Sequence, residues 1–192
     1  FRLNGTSDLP LVWELLERGY LEGLPKNVVF YDYTKDKFGW GAYKLGKTGL
    51  EYFVAFSRSE TNDAICKNVM AQGGIVAAAF SNVTGQKQWK KTFHPEKNDN
   101  YGLWLLPRTW MGYRVLNGDQ SDDMMIDLYR GTFESISNDY KLKGVSKGNG
   151  ICLGLHYKSI KNYSVSAKAT QHHLSLPNGF VIKCTPKDDC KF

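Results

Sequence analysis

Residues 50–84 read LEYFVAFSRSETNDAICKNVMAQGGIVAAAFSNVT, and this stretch sets the expectation for the fold. Leu50–Ser57 is aromatic and β-branched with a polar residue only at its start, the pattern of a strand buried on both faces. Thr61, Asn62 and Asp63 are good helix N-cap residues, and Ala64, Ile65, Asn68, Val69 and Ala71 follow at helical intervals. Gln72-Gly73-Gly74 stops that helix. Ile75–Phe80 is a second apolar strand. The segment therefore predicts a capped helix between two core strands.

Working outward, Arg2-Leu3 reads as the end of a first strand, followed by a polar turn at residues 4–7. A short amphipathic helix comes next, capped by Ser7 or Asp8, with Pro10 in its first turn and Gly19 at its end. Its apolar face carries Leu9, Val12, Trp13, Leu15 and Leu16. Val28–Thr34 and Gly41–Leu45 are expected strands or extended loop. Tyr101–Leu106 and Gly112–Leu116 are two more strands, joined through Pro107-Arg108-Thr109-Trp110. Ser121 caps a helix that opens on Asp122-Asp123, acids where the helix dipole favours them, and runs towards Ser137. Of the remainder, Ile151–Tyr157 and Gly179–Cys184 are the clearest strands. The pattern implies an α+β fold with many short strands and about three helices, without internal repeat or linker.

At 192 residues with 11 Tyr, 10 Phe and 5 Trp, the chain is expected to form one domain, 1–192, with a proper core. No run of about 18 apolar residues marks a membrane span, and no charged-then-apolar leader is evident. The chain opens abruptly at Phe1, as a processed or trimmed chain would. Four cysteines, Cys66, Cys152, Cys184 and Cys190, permit three pairings. Cys184–Cys190 would close a small terminal loop, leaving Cys66–Cys152 as a long staple, the favoured of the three pairings; two disulfides are expected over zinc, which no CxxC or HxxxH supports. Sequons at Asn4, Asn82 and Asn162 lean towards a secreted glycoprotein. The net charge is +6, and between Asp139 and Asp188 lie eight lysines and no acid. That lysine-rich third is read as a solvated face, with phosphate or an acidic partner as the sharper reading.

Cofactor signatures are missing. Gly148-Asn-Gly150-Ile-Cys-Leu-Gly154 has one residue too many for GxGxxG and is read as loop. Cys66 sits on a helix with no assignable acid–base partner. His156 and Lys158 make a single HxK pair, which needs a second copy to suggest phosphodiester chemistry. His172-His173 has no spacing partner for a metal, so none is expected. His94-Pro95-Glu96-Lys97-Asn98-Asp99, taken alone, is a solvated turn.

The order of these weak pieces is more informative than any one of them. An N-terminal strand with Arg2 leads into a helix closing as Glu17-Arg18-Gly19-Tyr20. Then come Tyr52-Phe53-Val54-Ala55-Phe56-Ser57, a helix from Ala64 to Gln72, and the strand Ile75–Phe80. His94–Asp99 follows, then Leu106-Pro107 and Trp110-Met111-Gly112-Tyr113-Arg114-Val115. This succession resembles the enzymatic A chain of the cholera and heat-labile enterotoxin family of mono-ADP-ribosyltransferases, including fungal secreted relatives. The resemblance covers residues 1–116 and leaves 117–192 unassigned.

The resemblance implies a split β-sheet with peripheral helices and a site for NAD. The family's arginine falls on Arg2, whose fork would hold a phosphate of NAD. Its serine-threonine-serine triplet falls on Ala55-Phe56-Ser57, and its Glu-x-Glu pair on Lys97-Asn98-Asp99. The residues carried over as catalytic positions are thus Arg2, Ser57 and Asp99, with Ala55, Phe56 and Lys97 replacing expected residues. Cleaving the nicotinamide bond passes through an oxocarbenium-like transition state that needs a well-placed carboxylate. Asp99 is one methylene short, and Lys97 opposes the developing cation; Glu96 fits only if the loop spacing changes. Displacements of about 1 Å can cost about a hundredfold.

The expectation is therefore a secreted, toxin-like or effector-like pseudoenzyme without a required cofactor. It would be a monomer, delivered into host cells as a virulence factor or acting outside them, and would bind a host or partner protein. Its old NAD cleft would be closed by Phe56 or reused. An active NAD-dependent mono-ADP-ribosyltransferase or NAD glycohydrolase is the alternative. A basic nucleic-acid-binding protein using His156 and Lys158 is the third.

Overall fold

The computed structural model describes residues 1–3, 9–82, 106–107, 109–119, 121, 123–131, 150–156 and 181–184. Its elements, in chain order, are α1 (Leu11–Glu17), β1 (Val29–Thr34), β2 (Gly41–Lys44), a single 3-10 turn at Gly46–Thr48, β3 (Glu51–Ser57), α2 (Asp63–Ala71), β4 (Ile75–Asn82), β5 (Thr109–Trp110), β6 (Tyr113–Asn117), α3 (Met124–Arg130), β7 (Ile151–His156) and β8 (Val181–Cys184). Helices thus pack on a mixed, largely parallel sheet of order β1-β3-β4-β7-β6-β5, with β2 paired to β3 and β8 to β4. Among the described strands, β2 against β3 and β5 against β6 run antiparallel and the other pairs parallel.

β3 behaves as its composition predicts: all five residues from Tyr52 to Phe56 are buried. Burial on both faces is what a parallel sheet covered on two sides requires. One face carries Tyr52, Val54 and Phe56. There Phe56 packs with Cys66, Val69 and Met70 of α2 and with Val76, Phe80 and Cys152. Tyr52 and Val54 on this face pack with Val12 of α1, Phe30 and Leu50. The other face carries Ala55, packed with Ile75, Leu153 and the α3 residues Met124 and Met125. Fully burying one side chain of this size contributes about 1.5–3 kcal/mol, so these three clusters supply most of what orders the sheet.

β3 and β4 are staggered, and they pair only through Phe56↔Val76 and Ser57↔Ala77. Ahead of that junction β2 flanks β3, Gly41↔Val54 to Lys44↔Glu51. Beyond it β8 flanks β4, Ala79↔Val181 to Asn82↔Cys184. The single sheet thus narrows to a two-residue seam between β3 and β4, and Ser57 lies on the seam.

Local chemistry explains the boundaries. Gly19, Gly73 and Gly131 follow α1, α2 and α3 with φ of 75°, 83° and 72°, the left-handed stop that glycine permits. Thr109-Trp110 is a short strand rather than the expected connection. Its two-residue turn, Met111-Gly112, has φ of 53° and 85°, and Trp110 pairs with Tyr113. Positive φ at both turn positions is the type I′ arrangement that suits a twisted hairpin. Pro10 stands at the N-cap of α1, not inside its first turn. The acid-capped helix starts at Met124, two residues after the expected Asp122.

Candidate functional site

Phe1 is held to β1 through its amine on the Val29 carbonyl, at 2.5 Å, and through its own carbonyl, which accepts the Tyr31 amide at 3.0 Å. That anchoring fixes the position of Arg2. The Arg2 guanidinium lies 4.8 Å from the centre of the Tyr33 ring, and its Nε is 3.7 Å from Asp32 Oδ1. The Asp32 side chain is 4% exposed, and Oδ1 also accepts the Tyr33 amide at 2.9 Å. A buried carboxylate needs such compensation, because losing it costs the desolvation of a charge.

Ser57 sits at the carboxyl end of β3, partly exposed. Its carbonyl accepts Asn62 Nδ2 at 3.0 Å, while Asn62 Oδ1 accepts the Ser59 amide at 2.7 Å. Asn62 therefore stitches the β3–α2 loop; it caps no backbone N–H of the helix it precedes, but its Oδ1 also accepts the Cys66 thiol at 3.4 Å. Arg58 is buried and ion-paired with Asp63 at 2.8 Å, which fixes the same loop.

The register relates these residues. Tyr33 is opposite Ala55, so Tyr33, Ala55 and Ser57 share one face of the sheet. Arg2 straddles the β1 edge, its guanidinium over Tyr33 on that face and its Nε beside Asp32, which points to the other. Ser57 stands about 7 Å further along the strand than Ala55. Asp99, Glu96 and Lys97 lie outside the described residues, as do Asn4, Asn162, Lys158, His172 and His173.

Phe56 requires a correction. It was expected to close the cleft beside Ser57, but adjacent residues of a strand point to opposite faces. Phe56 is fully buried beneath α2, on the far side of the sheet from Ser57 and Arg2. The expected Cys66–Cys152 bridge is also not formed: both residues carry thiols and are buried in one cluster. Cys184 lies in β8, and Cys190 is outside the described residues.

Other chemistry is restrained. Burial, reinforced by Asp63, pushes the Cys66 thiol up to about 12, so it is no nucleophile at neutral pH. The Tyr52 hydroxyl is likewise driven far above its usual range, by burial first and then by the charge of Asp32. Among the described residues no group of three or more metal-ligating side chains occurs, and no helix is long and apolar enough to cross a membrane. A cavity of about 450 Å³ opens at the opposite end of the strands from Ser57, between Phe1, Asn27–Val29 and α3 residues Asp123, Asp127 and Arg130.

Asp32 and Tyr33, which engage Arg2, were not singled out from the sequence. The available signal was an acid at an inward position of an alternating strand, flanked by two tyrosines. The chain matches no family model, no curated protein and no solved structure.

Proposed function

We propose that the chain is a secreted, effector-like protein with a mono-ADP-ribosyltransferase-like split sheet. On this reading its transfer chemistry has lapsed, and it acts by binding a partner macromolecule. The observation that carries the reading is the engagement of Arg2. Its guanidinium is occupied by Asp32 and Tyr33, so drawing it onto a dinucleotide phosphate would take a positive charge away from a buried carboxylate. That costs on the order of 1–3 kcal/mol, discounted for the partial exposure of Arg2. The first hydroxyl position of the family triplet is Ala55, fully buried against α3, which leaves nothing there to position a carboxylate. The two-residue seam between β3 and β4 supports the split-sheet part of the reading.

A second reading, an active NAD-dependent transferase or glycohydrolase, draws on Tyr33, which the Arg2 guanidinium covers, and Ser57 sharing one face of the sheet. Nicotinamide release from NAD, measured beside a melting scan with NAD at saturating concentration, separates the two. A bound ligand at 100 times its dissociation constant would add about 2.7 kcal/mol. The expected result is neither turnover nor a melting shift. Release of nicotinamide that disappears in Asp99→Ala would overturn the proposal in favour of the enzyme.

A further inference from the structure

Among the described strands, β1 closes one end of the sheet, and an edge strand offers its outward amides and carbonyls to other strands. The contacts of Phe1 show which groups of β1 point outward. The Phe1 amine donates to the Val29 carbonyl at 2.5 Å, and the Phe1 carbonyl accepts the Tyr31 amide at 3.0 Å. That pattern pairs Phe1 in parallel with Phe30, the two rings lying 6.5 Å apart. Outward groups recur at every second residue of a strand, so the next outward amide is that of Tyr33, about 6.6 Å further along. Continuing the ladder would give this amide to the Leu3 carbonyl. It goes instead to the carboxylate of Asp32, at 2.9 Å. The strap formed by residues 1–3 thus pairs at one residue and stops where Asp32 intervenes.

Packing alone does not account for Asp32. It alternates with Phe30 and Thr34 along β1, and all three are buried. A carboxylate there gives up apolar packing and carries a desolvation penalty that an apolar residue of similar volume would avoid. What it does is cover the edge. Oδ1 holds the Tyr33 amide, Arg2 Nε stands 3.7 Å from the same oxygen, and the Arg2 guanidinium lies over the Tyr33 ring. An inward-pointing charge on an edge strand is one way in which sheets keep other strands off. We propose that Asp32 is an edge guard: with Arg2 and the Phe1 strap it seals β1 against strand pairing with a second copy of the chain. Two β1 edges related by a twofold axis would meet antiparallel, and the Tyr33 amide is a donor that such a meeting needs and Asp32 withholds. The proposal concerns this edge alone and does not rest on the functional reading above.

The test compares the full chain with Asp32→Leu and Asp32→Asn by sedimentation velocity over a wide range of concentration, after circular dichroism has shown each to be folded. Leucine fills the buried place and removes the acceptor, whereas asparagine keeps an Oδ1 for the Tyr33 amide. The wild-type chain and Asp32→Asn are expected to stay at the mass of a single chain, while Asp32→Leu moves to the mass of a dimer as concentration rises. Adding Tyr33→Pro to Asp32→Leu deletes the amide and should restore the single-chain mass. Hydrogen exchange at the Tyr33 amide gives a second readout that needs no variant to fold. In the wild-type chain it should be slowed about tenfold or more against an unbonded amide, as a bond to a charged acceptor requires. The proposal is overturned by an Asp32→Leu chain that stays single at every concentration, or by a dimer that survives Tyr33→Pro. Association of Asp32→Asn equal to that of Asp32→Leu, or unslowed exchange at the wild-type Tyr33 amide, overturns it equally.

Discussion

The contact between Gly150 and Met70 sets up a sharp perturbation. Gly150→Ala adds one methyl group, and that methyl meets Met70 O at 2.0 Å, Cα at 2.4 Å and C at 2.5 Å. All three are backbone atoms of a hydrogen-bonded helix, so no side-chain rotation relieves the overlap. Reaching ordinary contact requires α2 and β7 to part by on the order of 1 Å, which loosens the packing of Cys66, Val69 and Met70 on Val76 and Cys152. Overpacking usually costs 1–3 kcal/mol, and a clash with backbone belongs at the top, about 3 kcal/mol. Gly154→Ala is the control. The nearest atoms to its methyl are Leu106 Cδ1 and Val115 Cγ1 at 2.8 Å and Leu106 Cδ2 at 3.1 Å, side-chain atoms that can turn aside for about 1 kcal/mol. Urea unfolding followed by tryptophan fluorescence reads both. With a slope of about 2 kcal/mol per molar, the midpoint should fall by about 1.5 M for Gly150→Ala and about 0.5 M for Gly154→Ala. Equal small shifts in the two variants would refute the close approach of α2 to β7.

Other outcomes follow from the same packing. Tyr129→Phe removes the hydroxyl that donates to the Val54 carbonyl at 2.9 Å while keeping the ring stacked on Phe53. It should cost about 1 kcal/mol in denaturant unfolding, and a loss near zero would mean the bond is not made. Alkaline stability has a defined sign. Cys66 is raised from 9.0 to about 12 in the folded protein, so its contribution is intact below about pH 9 and is lost as pH rises towards 12. The slope approaches about 1.4 kcal/mol per pH unit for one group. Reduced protein should therefore lose stability more steeply between pH 9 and 10 than Cys66→Ala, and identical slopes would remove the burial argument. Tyr52 and Tyr129, both raised chiefly by burial, add to the loss at higher pH.

The strand–helix–strand unit from β3 to β4 was legible because its signals agree. An uninterrupted apolar run marks a strand buried on two faces, and Gly73 supplies the left-handed stop after α2. β5 escaped notice because two residues carry no periodicity; only the Met111-Gly112 turn defines it. Strand order was not legible, since β3 must find β1, β2 and β4 through contacts that local pattern does not encode. At the candidate site, Ser57 was placed correctly on the end of β3, but the sidedness of Phe56 was missed although alternation alone decides it. Asp32 was passed over because a single acid in a strand looks like a solvent-facing residue until its neighbours Phe30 and Thr34 prove to be buried.

The two faces of β3 also explain why hydroxyls are poorly accommodated at residues 55 and 56. Ala55 and Phe56 are both fully buried, one against α3 and the other against α2. A hydroxyl at either place needs a hydrogen-bond partner, or it leaves a polar group stranded at about 1–3 kcal/mol. Replacing Phe56 by threonine would also open a cavity in the largest cluster, at a cost of about 3 kcal/mol or more. Ser57 escapes both penalties because the seam leaves it partly exposed. On the proposed reading, packing and transfer chemistry would compete for the same three positions. Packing holds the two that face helices, and a hydroxyl stands only at the third, at the carboxyl end of β3.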